Sequence, residues 1–151
     1  MRLSRLPGVV IPSRPVSPLR FRVYALTWIS YATYYLGRKS SGVTKARLKS
    51  ELGLTTTELG DIDTAYLSAY AVGQFVNGYL GDRVGSRRLV AAGMTLSALA
   101  YAAFGLGAGL GMFLALMVAN GLAQSTGWPG NTRAMAAWTT PENRGAIMGW
   151  W

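Results

Sequence analysis

The chain has 151 residues, carries a net charge of +9 and contains neither cysteine nor histidine. Disulfides, cysteine-based metal sites and histidine chemistry are therefore excluded. Half of the residues are apolar and only 14% are charged, against about 25% in soluble domains. We predict an all-α membrane protein, and we expect no metal or cofactor. The basic residues lie between long apolar stretches, which argues against a protein that binds nucleic acid.

A basic segment, residues 1–22, precedes the first apolar stretch. It holds four of the six prolines, five arginines and no acidic residue. Because proline at this density interrupts helices, we predict a disordered cytoplasmic tail over residues 1–22. An organelle transit peptide is the alternative, although such peptides are usually amphipathic helices.

The first apolar run, residues 23–36, is too short to cross a bilayer. Its fourteen residues reach about 21 Å, against a hydrocarbon core of about 30 Å. A crossing helix has to continue through Arg38 and Lys39 towards Leu48, which places two cations in the membrane unless they meet water or an anion. The alternative is a helix that ends at Leu36, with both cations at the interface.

Three further spans follow. Residues 45–63 mix basic and acidic side chains and indicate a solvated outer loop, and the capping-box spacing of Thr55 and Glu58 predicts a helix start near Thr56. The break Gly127-Trp-Pro-Gly130 interrupts the fourth span. The predicted helices cover about 23–48, 56–80, 89–106 and 112–138, and a fifth begins at 145. Lysine and arginine are concentrated in the tail and after the second helix, which predicts a cytoplasmic amino terminus.

Polar and aromatic side chains recur at helical spacing on three of these helices. The stripes are Thr27, Tyr31, Tyr35 and Arg38; Asp63, Tyr66, Tyr70, Gln74 and Asn77; and Asn120, Gln124, Gly127 and Asn131. Together they predict a common aqueous cavity, with helix three against lipid or behind the others. The alternative for helices two and four is ordinary hydrogen bonding between helices.

Arg38 favours the cavity, because an intramembrane cation attracts an anion. Its planar guanidinium matches a phosphate or a carboxylate with two parallel hydrogen bonds. Tyr31 and Tyr35 lie two turns and one turn away and offer hydroxyls to the same ligand. We therefore expect a small anionic solute, phosphate above all, with a carboxylate as the alternative.

The segment Gly78–Leu89 is a compact turn rich in glycine and arginine that contains one aspartate, Asp82. It resembles the loop that follows the second helix of major facilitator superfamily transporters. The resemblance implies a secondary active transporter in a lipid bilayer, with a network that latches its cytoplasmic gate. The predicted gate residues are Gly78, Asp82, Arg83, Gly85, Arg87, Arg88 and Arg144. In this network Asp82 caps a helix or pairs with Arg87, Arg88 or Arg144; the alternative is a basic turn with a solvated aspartate.

Two further segments resemble one family within this superfamily, the organophosphate:phosphate antiporters. Tyr31-Ala-Thr-Tyr-Tyr-Leu-Gly-Arg-Lys39 is similar to the family's first helix, and Gly121-Leu-Ala-Gln-Ser-Thr-Gly-Trp-Pro129, followed by Arg133, is similar to its fourth. Glu142-Asn-Arg-Gly145 resembles the next loop. The resemblance implies that the protein is not an enzyme and that it exchanges an organic phosphate for inorganic phosphate.

The same resemblance implies that Arg38 binds the substrate phosphate with help from Tyr31 and Tyr35. Lys39, Gln74 and Gln124 complete the predicted substrate site. Gln74 departs from the family pattern, because glycerol-3-phosphate and hexose-phosphate members carry a lysine there. This departure weakens an assignment to those two substrates.

Members of this family have about twelve spans in two six-helix bundles, with substrate held between them. The chain supplies four spans and the start of a fifth, so we expect a partial amino-terminal bundle of the major facilitator fold. We expect a fragment that lacks the carboxy-terminal half, lies in a bacterial plasma membrane and does not transport alone. The alternatives are a homodimeric four-helix membrane protein and a membrane sensor or interaction subunit.

Overall fold

The computed structural model describes residues 18–107 and 109–151. Within these ranges the chain forms six α-helices and no strand, which confirms the predicted all-α fold. The helices are α1 (Pro18–Leu52), α2 (Thr56–Val84), α3 (Ser86–Phe104), α4 (Leu110–Gln124), α5 (Gly127–Ala137) and α6 (Pro141–Trp150).

The first helix, α1, runs for 35 residues without a break and continues past Lys39, as predicted. Residues 1–17 of the predicted tail lie outside the described part of the chain. Residues 18–22 are helical, so the prediction of disorder is wrong for them. Pro18 occupies the first helical position, where its missing N–H costs nothing and its fixed backbone angle suits a helix.

The prediction of a solvated loop over residues 45–63 is also wrong, because only residues 53–55 separate α1 from α2. Arg47 and Glu51 form an ion pair one turn apart on α1, at 3.1 Å. Gly53 has a φ of +67° and ends α1 in the left-handed conformation that glycine adopts without strain. Four apolar side chains in this region are buried in one core cluster, and their packing stabilises the end of α1 and the start of α2; they are Leu48, Leu54, Leu59 and Ile62.

The second helix begins at Thr56 on the predicted capping box. Thr55 Oγ1 accepts from the Glu58 N–H at 3.2 Å, and the Glu58 carboxylate accepts from the Thr55 N–H at 2.8 Å. The helix continues to Val84, four residues beyond the predicted end. Gly85 alone joins α2 to α3, with a φ of +82° that few other residues adopt.

The fourth predicted span is divided into α4 and α5. The break lies at Ser125 and Thr126, just before the predicted interruption at 127–130. Proline has no N–H and its ring clashes with the carbonyl four residues earlier. In this chain Pro129 therefore removes the helical bond to the Ser125 carbonyl.

The last helix, α6, begins at Pro141 rather than at the predicted Gly145. Thr140 and Asn143 form a capping box in which the Thr140 N–H donates to Asn143 Oδ1 at 2.9 Å. Pro141 at the first helical position is compatible with this start. Glycine and proline near 141–145 thus mark the beginning of a helix, not a longer loop.

Close helix packing depends on glycine at the centre of α4. The most extensive packing is between α2 and α4, followed by α3 against α4. A Cβ placed on Gly121 would collide with the Tyr66 carbonyl and would lie 3.0 Å from both Ala69 Cβ and the Tyr70 nitrogen. Small residues at such crossings let two helix backbones approach each other, as is common in membrane bundles.

Helix length alone permits several membrane crossings. At 1.5 Å per residue, α3 with its 19 residues reaches about 29 Å, close to the hydrocarbon core of about 30 Å, and α1 and α2 are longer. By length and apolar composition together, one segment among the described residues qualifies as a span, Leu110–Ala137, which comprises α4 and α5. The helices α1, α2 and α3 do not meet both criteria, and the four-span arrangement stays a prediction.

The Gly121 contact predicts an asymmetric response to alanine on α4. Gly121→Ala should destabilise the bundle by about 1–3 kcal/mol, because the added methyl forces α2 away from α4. Gly111→Ala on the same helix is the matched control, since a Cβ there meets no other atom within 4 Å. Thermal unfolding of both variants in lipid nanodiscs, followed by tryptophan fluorescence, measures the difference. Equal unfolding temperatures would refute close α2–α4 packing at this glycine.

Candidate functional site

The side chain of Gln124 is a hydrogen-bonding hub inside the bundle. It lies in the last turn of α4 and is 1% exposed. Its Oε1 accepts from Arg38 Nε at 2.9 Å and from the Tyr66 hydroxyl at 2.8 Å. Its Nε2 donates to Ser97 Oγ and to the Tyr101 hydroxyl, both at 3.2 Å. One amide therefore contacts α1, α2 and α3 from α4.

The guanidinium of Arg38 lies between two tyrosine rings. Its Cζ is 5.2 Å from the ring centroid of Tyr35 and 4.6 Å from that of Tyr70, distances typical of cation–π interactions. Gln124 and the two rings carry no charge, so they orient the cation without cancelling its charge. This arrangement suits the recognition of an anion that approaches the guanidinium.

The third helix takes part in this site, so the prediction that it stands apart from the polar cavity is wrong. Ser97 and Tyr101 are one turn apart on α3 and both contact Gln124. Ser97 also donates to Asn120 Oδ1 at 2.7 Å. The signal in the sequence is weak, because it consists of two polar residues, four positions apart, in the uncharged part of α3.

The predicted substrate residues do not all meet at Arg38. Tyr35 contacts Arg38, but Tyr31 lies one turn further away on α1. The centroid of the Tyr31 ring is 5.4 Å from that of Tyr35 and 5.6 Å from that of Trp128. Lys39 is exposed and lines a separate cavity of about 440 Å³ with Tyr31, Tyr35 and the terminal Trp151.

Gln74 lies one turn beyond Tyr70 on α2 and is half-buried. It forms none of the hydrogen bonds around Gln124 in the described part of the chain. The side chains that contact Gln124 or Arg38 are instead those of Tyr66, Tyr70, Ser97 and Tyr101. None of these four was among the predicted site residues. Tyr66 and Tyr70 belonged to the predicted polar stripe of helix two, so their position was visible in the sequence.

Three of the predicted gate residues lie where α2, α5 and α6 border one cavity; they are Gly78, Asp82 and Arg144. Asp82 forms an ion pair with Arg133 of α5, so its expected pairing with Arg87, Arg88 or Arg144 is wrong. Asp82 still belongs to the last turn of α2, which packs on α5, whereas Arg87 and Arg88 lie after the Gly85 link and are exposed. Arg133 was part of the motif quoted for helix four, but its partner could not be read from spacing alone.

The other gate residues have separate partners. Gly78, Asp82, Arg133 and Arg144 line one cavity of about 420 Å³. Arg144 Nε donates to Thr139 Oγ1 at 3.2 Å. The guanidinium of Arg83 lies 4.5 Å from the ring centroid of its neighbour on the same helix, Tyr79.

Comparisons with known proteins agree with this fold and with the motifs. The family profile of the Major Facilitator Superfamily matches residues 27–151. The glucose-6-phosphate exchanger SLC37A2 of Mus musculus is 34% identical and covers 100% of this chain and 37% of its own length. No solved structure matches the chain at a significant level.

Two plant relatives are similar to the same degree. The putative glycerol-3-phosphate transporter 2 of Arabidopsis thaliana is 38% identical over 85% of this chain and 29% of its own length. The putative glycerol-3-phosphate transporter 5 is 31% identical over 98% of this chain and 34% of its own length. The chain thus spans about a third of the length of these relatives, all of which are named as transporters or exchangers. It belongs to the major facilitator superfamily of membrane transport proteins, within the organophosphate:phosphate antiporter family that its motifs resemble.

Proposed function

We propose that these residues form part of the amino-terminal bundle of a transporter that exchanges an organic phosphate for inorganic phosphate. The observation that carries the proposal is the position of Arg38, a cation in the interior of the bundle that neutral groups orient. A guanidinium binds phosphate through two parallel hydrogen bonds. The names of the relatives, a glucose-6-phosphate exchanger and glycerol-3-phosphate transporters, support phosphate as the anion.

The proposed ligand set is centred on Arg38 and includes residues of α1, α2 and α4. Tyr35 and Tyr70 hold the guanidinium through their rings, and Gln124 holds its Nε. Tyr31 and Lys39 lie on the neighbouring surface of α1 and are proposed to contact the organic part of the substrate. Gln74 stays a proposed contact one turn beyond Tyr70.

The gate proposal now centres on Asp82 and Arg133. This ion pair connects α2 with α5 in the same cavity that contains Gly78 and Arg144. We propose that these residues, with Arg83, Gly85, Arg87 and Arg88 of the same loop, close the cytoplasmic end of the transport path. We also propose a cytoplasmic amino terminus, because lysine and arginine are concentrated in these loops. The relatives come from an animal and a plant, and the predicted bacterial membrane gains no support from them.

The first test measures phosphate binding to Arg38 variants of the purified chain in lipid nanodiscs. Arg38→Ala should abolish binding, and Arg38→Lys should weaken it about tenfold or more, because an ammonium cannot form the paired bonds of the guanidinium. Arg47→Ala is the matched control on the same helix, since Arg47 is exposed and paired with Glu51. Isothermal titration with inorganic phosphate and with glycerol-3-phosphate gives the affinities. Binding by Arg38→Ala at the level of the unmodified chain would contradict the phosphate site.

A second test changes the charge of the side chain at position 124, beside Arg38, but hardly changes its size and shape. Gln124→Glu keeps an acceptor for Arg38 Nε and for the Tyr66 hydroxyl, and it adds a carboxylate that neutralises the guanidinium. We therefore expect phosphate binding to be lost, whereas thermal stability should fall less than in Gln124→Leu, because the carboxylate still accepts two bonds although it cannot donate to Ser97 and Tyr101. Gln124→Leu, which removes all four bonds, should lower thermal stability more. If Gln124→Glu bound phosphate normally, the positive charge of Arg38 would not be what attracts the anion.

A third test separates binding from exchange. Alternating access moves one bundle against another around a shared site, and the chain spans about a third of the length of its relatives. We therefore expect the 151 residues to bind phosphate in liposomes without exchanging it. The assay loads vesicles with labelled phosphate and adds glycerol-3-phosphate outside. Saturable release above the leak from empty vesicles would favour a homodimer that transports by itself.

A further inference from the structure

A cavity of about 260 Å³ lies beside Arg38, towards the α1–α2 connection. Four helices contribute to it, and its polar lining includes Arg38, Thr44, Lys45, Asp63 and Tyr66. Arg38 and Lys45 are seven residues apart on α1, which places them two turns apart on one helix face, about 10 Å along the axis. The cavity therefore has one cation near the centre of the bundle and another nearer its outer end.

The charges around this cavity do not balance. Among the residues that line it, two are basic and one, Asp63, is acidic. The remaining wall is largely apolar and includes the buried side chains of Leu48 and Ile62. Charges interact more strongly beside such a wall than in water, so the excess positive charge makes the cavity attractive to a small anion.

Lys45 is held at present by Asp63. The two side chains form an ion pair that joins α1 to α2, and both are partly exposed, at 32% and 47%. An exposed ion pair of this kind contributes little net stability. It can therefore open when a doubly charged anion offers the lysine a stronger partner.

We propose that Lys45 is a second phosphate-binding cation, and that an incoming phosphate takes it over from Asp63. The phosphate group then lies in the cavity between Lys45 and Arg38, on the outer side of the Gln124 hub. This inference rests on the proposed function, because it takes phosphate as the anion that Arg38 binds. Asp63 competes with the ligand for Lys45 and so limits the affinity of this outer position.

The proposal predicts opposite effects for the two members of the pair. In nanodiscs, Asp63→Asn frees Lys45 and should tighten phosphate binding about threefold to tenfold, whereas Lys45→Met should weaken it by a similar factor. Because Lys45→Met leaves a carboxylate beside an apolar wall, the double variant Lys45→Met with Asp63→Asn is measured too. It contains neither charge and should bind more weakly than Asp63→Asn, which keeps the lysine. Arg47→Ala again serves as the control.

The position of the anion is tested by thiol labelling, which is direct because the chain contains no cysteine. Thr44→Cys places a single thiol in the cavity wall, and Ser50→Cys places one on the exposed surface of α1. Inorganic phosphate should slow the reaction of a maleimide at position 44, and it should leave position 50 unaffected. The same measurement with glycerol-3-phosphate shows whether the cavity also admits an ester.

The outcomes separate this proposal from the proposed function. If Asp63→Asn does not tighten binding, or if phosphate fails to protect Thr44→Cys, the Lys45 site is overturned. The proposed function still stands in that case if Arg38→Ala abolishes binding. If Arg38→Ala leaves phosphate affinity intact while the Lys45 and Asp63 variants shift it in opposite directions, Lys45 binds phosphate by itself, and both the Arg38 proposal and the shared position between the two cations are overturned.

Discussion

The arrangement of this bundle depends on one buried amide. Gln124 uses both ends of its side chain, with two bonds accepted and two donated, and an amide left without partners in an apolar interior costs several kcal/mol. Since the four partners come from α1, α2 and α3, each helix must present a particular face to α4. The bonds also require short distances between backbones, which the glycines allow. Gly121 brings α2 close to α4, and Gly93 brings α3 against the segment at Ala123 and Thr126.

The same amide explains how a cation is kept in the interior without losing its charge. A carboxylate at position 124 would hold Arg38 more firmly but would neutralise it. An amide oxygen accepts from the Nε of Arg38 and adds no negative charge beside the guanidinium. The rings of Tyr35 and Tyr70 favour a cation between them and carry no formal charge. Orientation by neutral groups is therefore the property that makes this arginine suitable for a negatively charged ligand.

Periodicity and composition predicted what each helix does by itself. They gave the passage of α1 through Arg38, the capping box at Thr55 and the inward polar faces of α2 and α4. They failed where a partner on another helix decides the outcome. Lys45 and Asp63 suggested a loop because their charges were considered singly, but the pair they form, and the buried Leu48 and Ile62 beside them, let both helices continue. Ser97 and Tyr101 looked isolated on an apolar helix until the fold placed Gln124 opposite them. Asp82 likewise has several basic residues near it in sequence, yet the α2–α5 packing selects Arg133.

The contacts of α2 differ in kind along its length, and this difference limits which parts can move. Close packing of backbone on backbone at Gly121 joins α2 to α4, and such a contact tolerates little displacement. Ion pairs add to the packing of α2 against α1 and α5: the Lys45–Asp63 pair lies near one end and the Asp82–Arg133 pair near the other. Their carboxylates are nineteen positions apart on one unbroken helix, about 28 Å by helical rise. Hydrogen bonds and ion pairs can exchange partners with water or a ligand at a small free-energy cost. Sliding two closely packed helix backbones past each other costs far more. We therefore expect the α2–α4 pair to move least, and the proposed anion at Lys45 acts on a connection that can open.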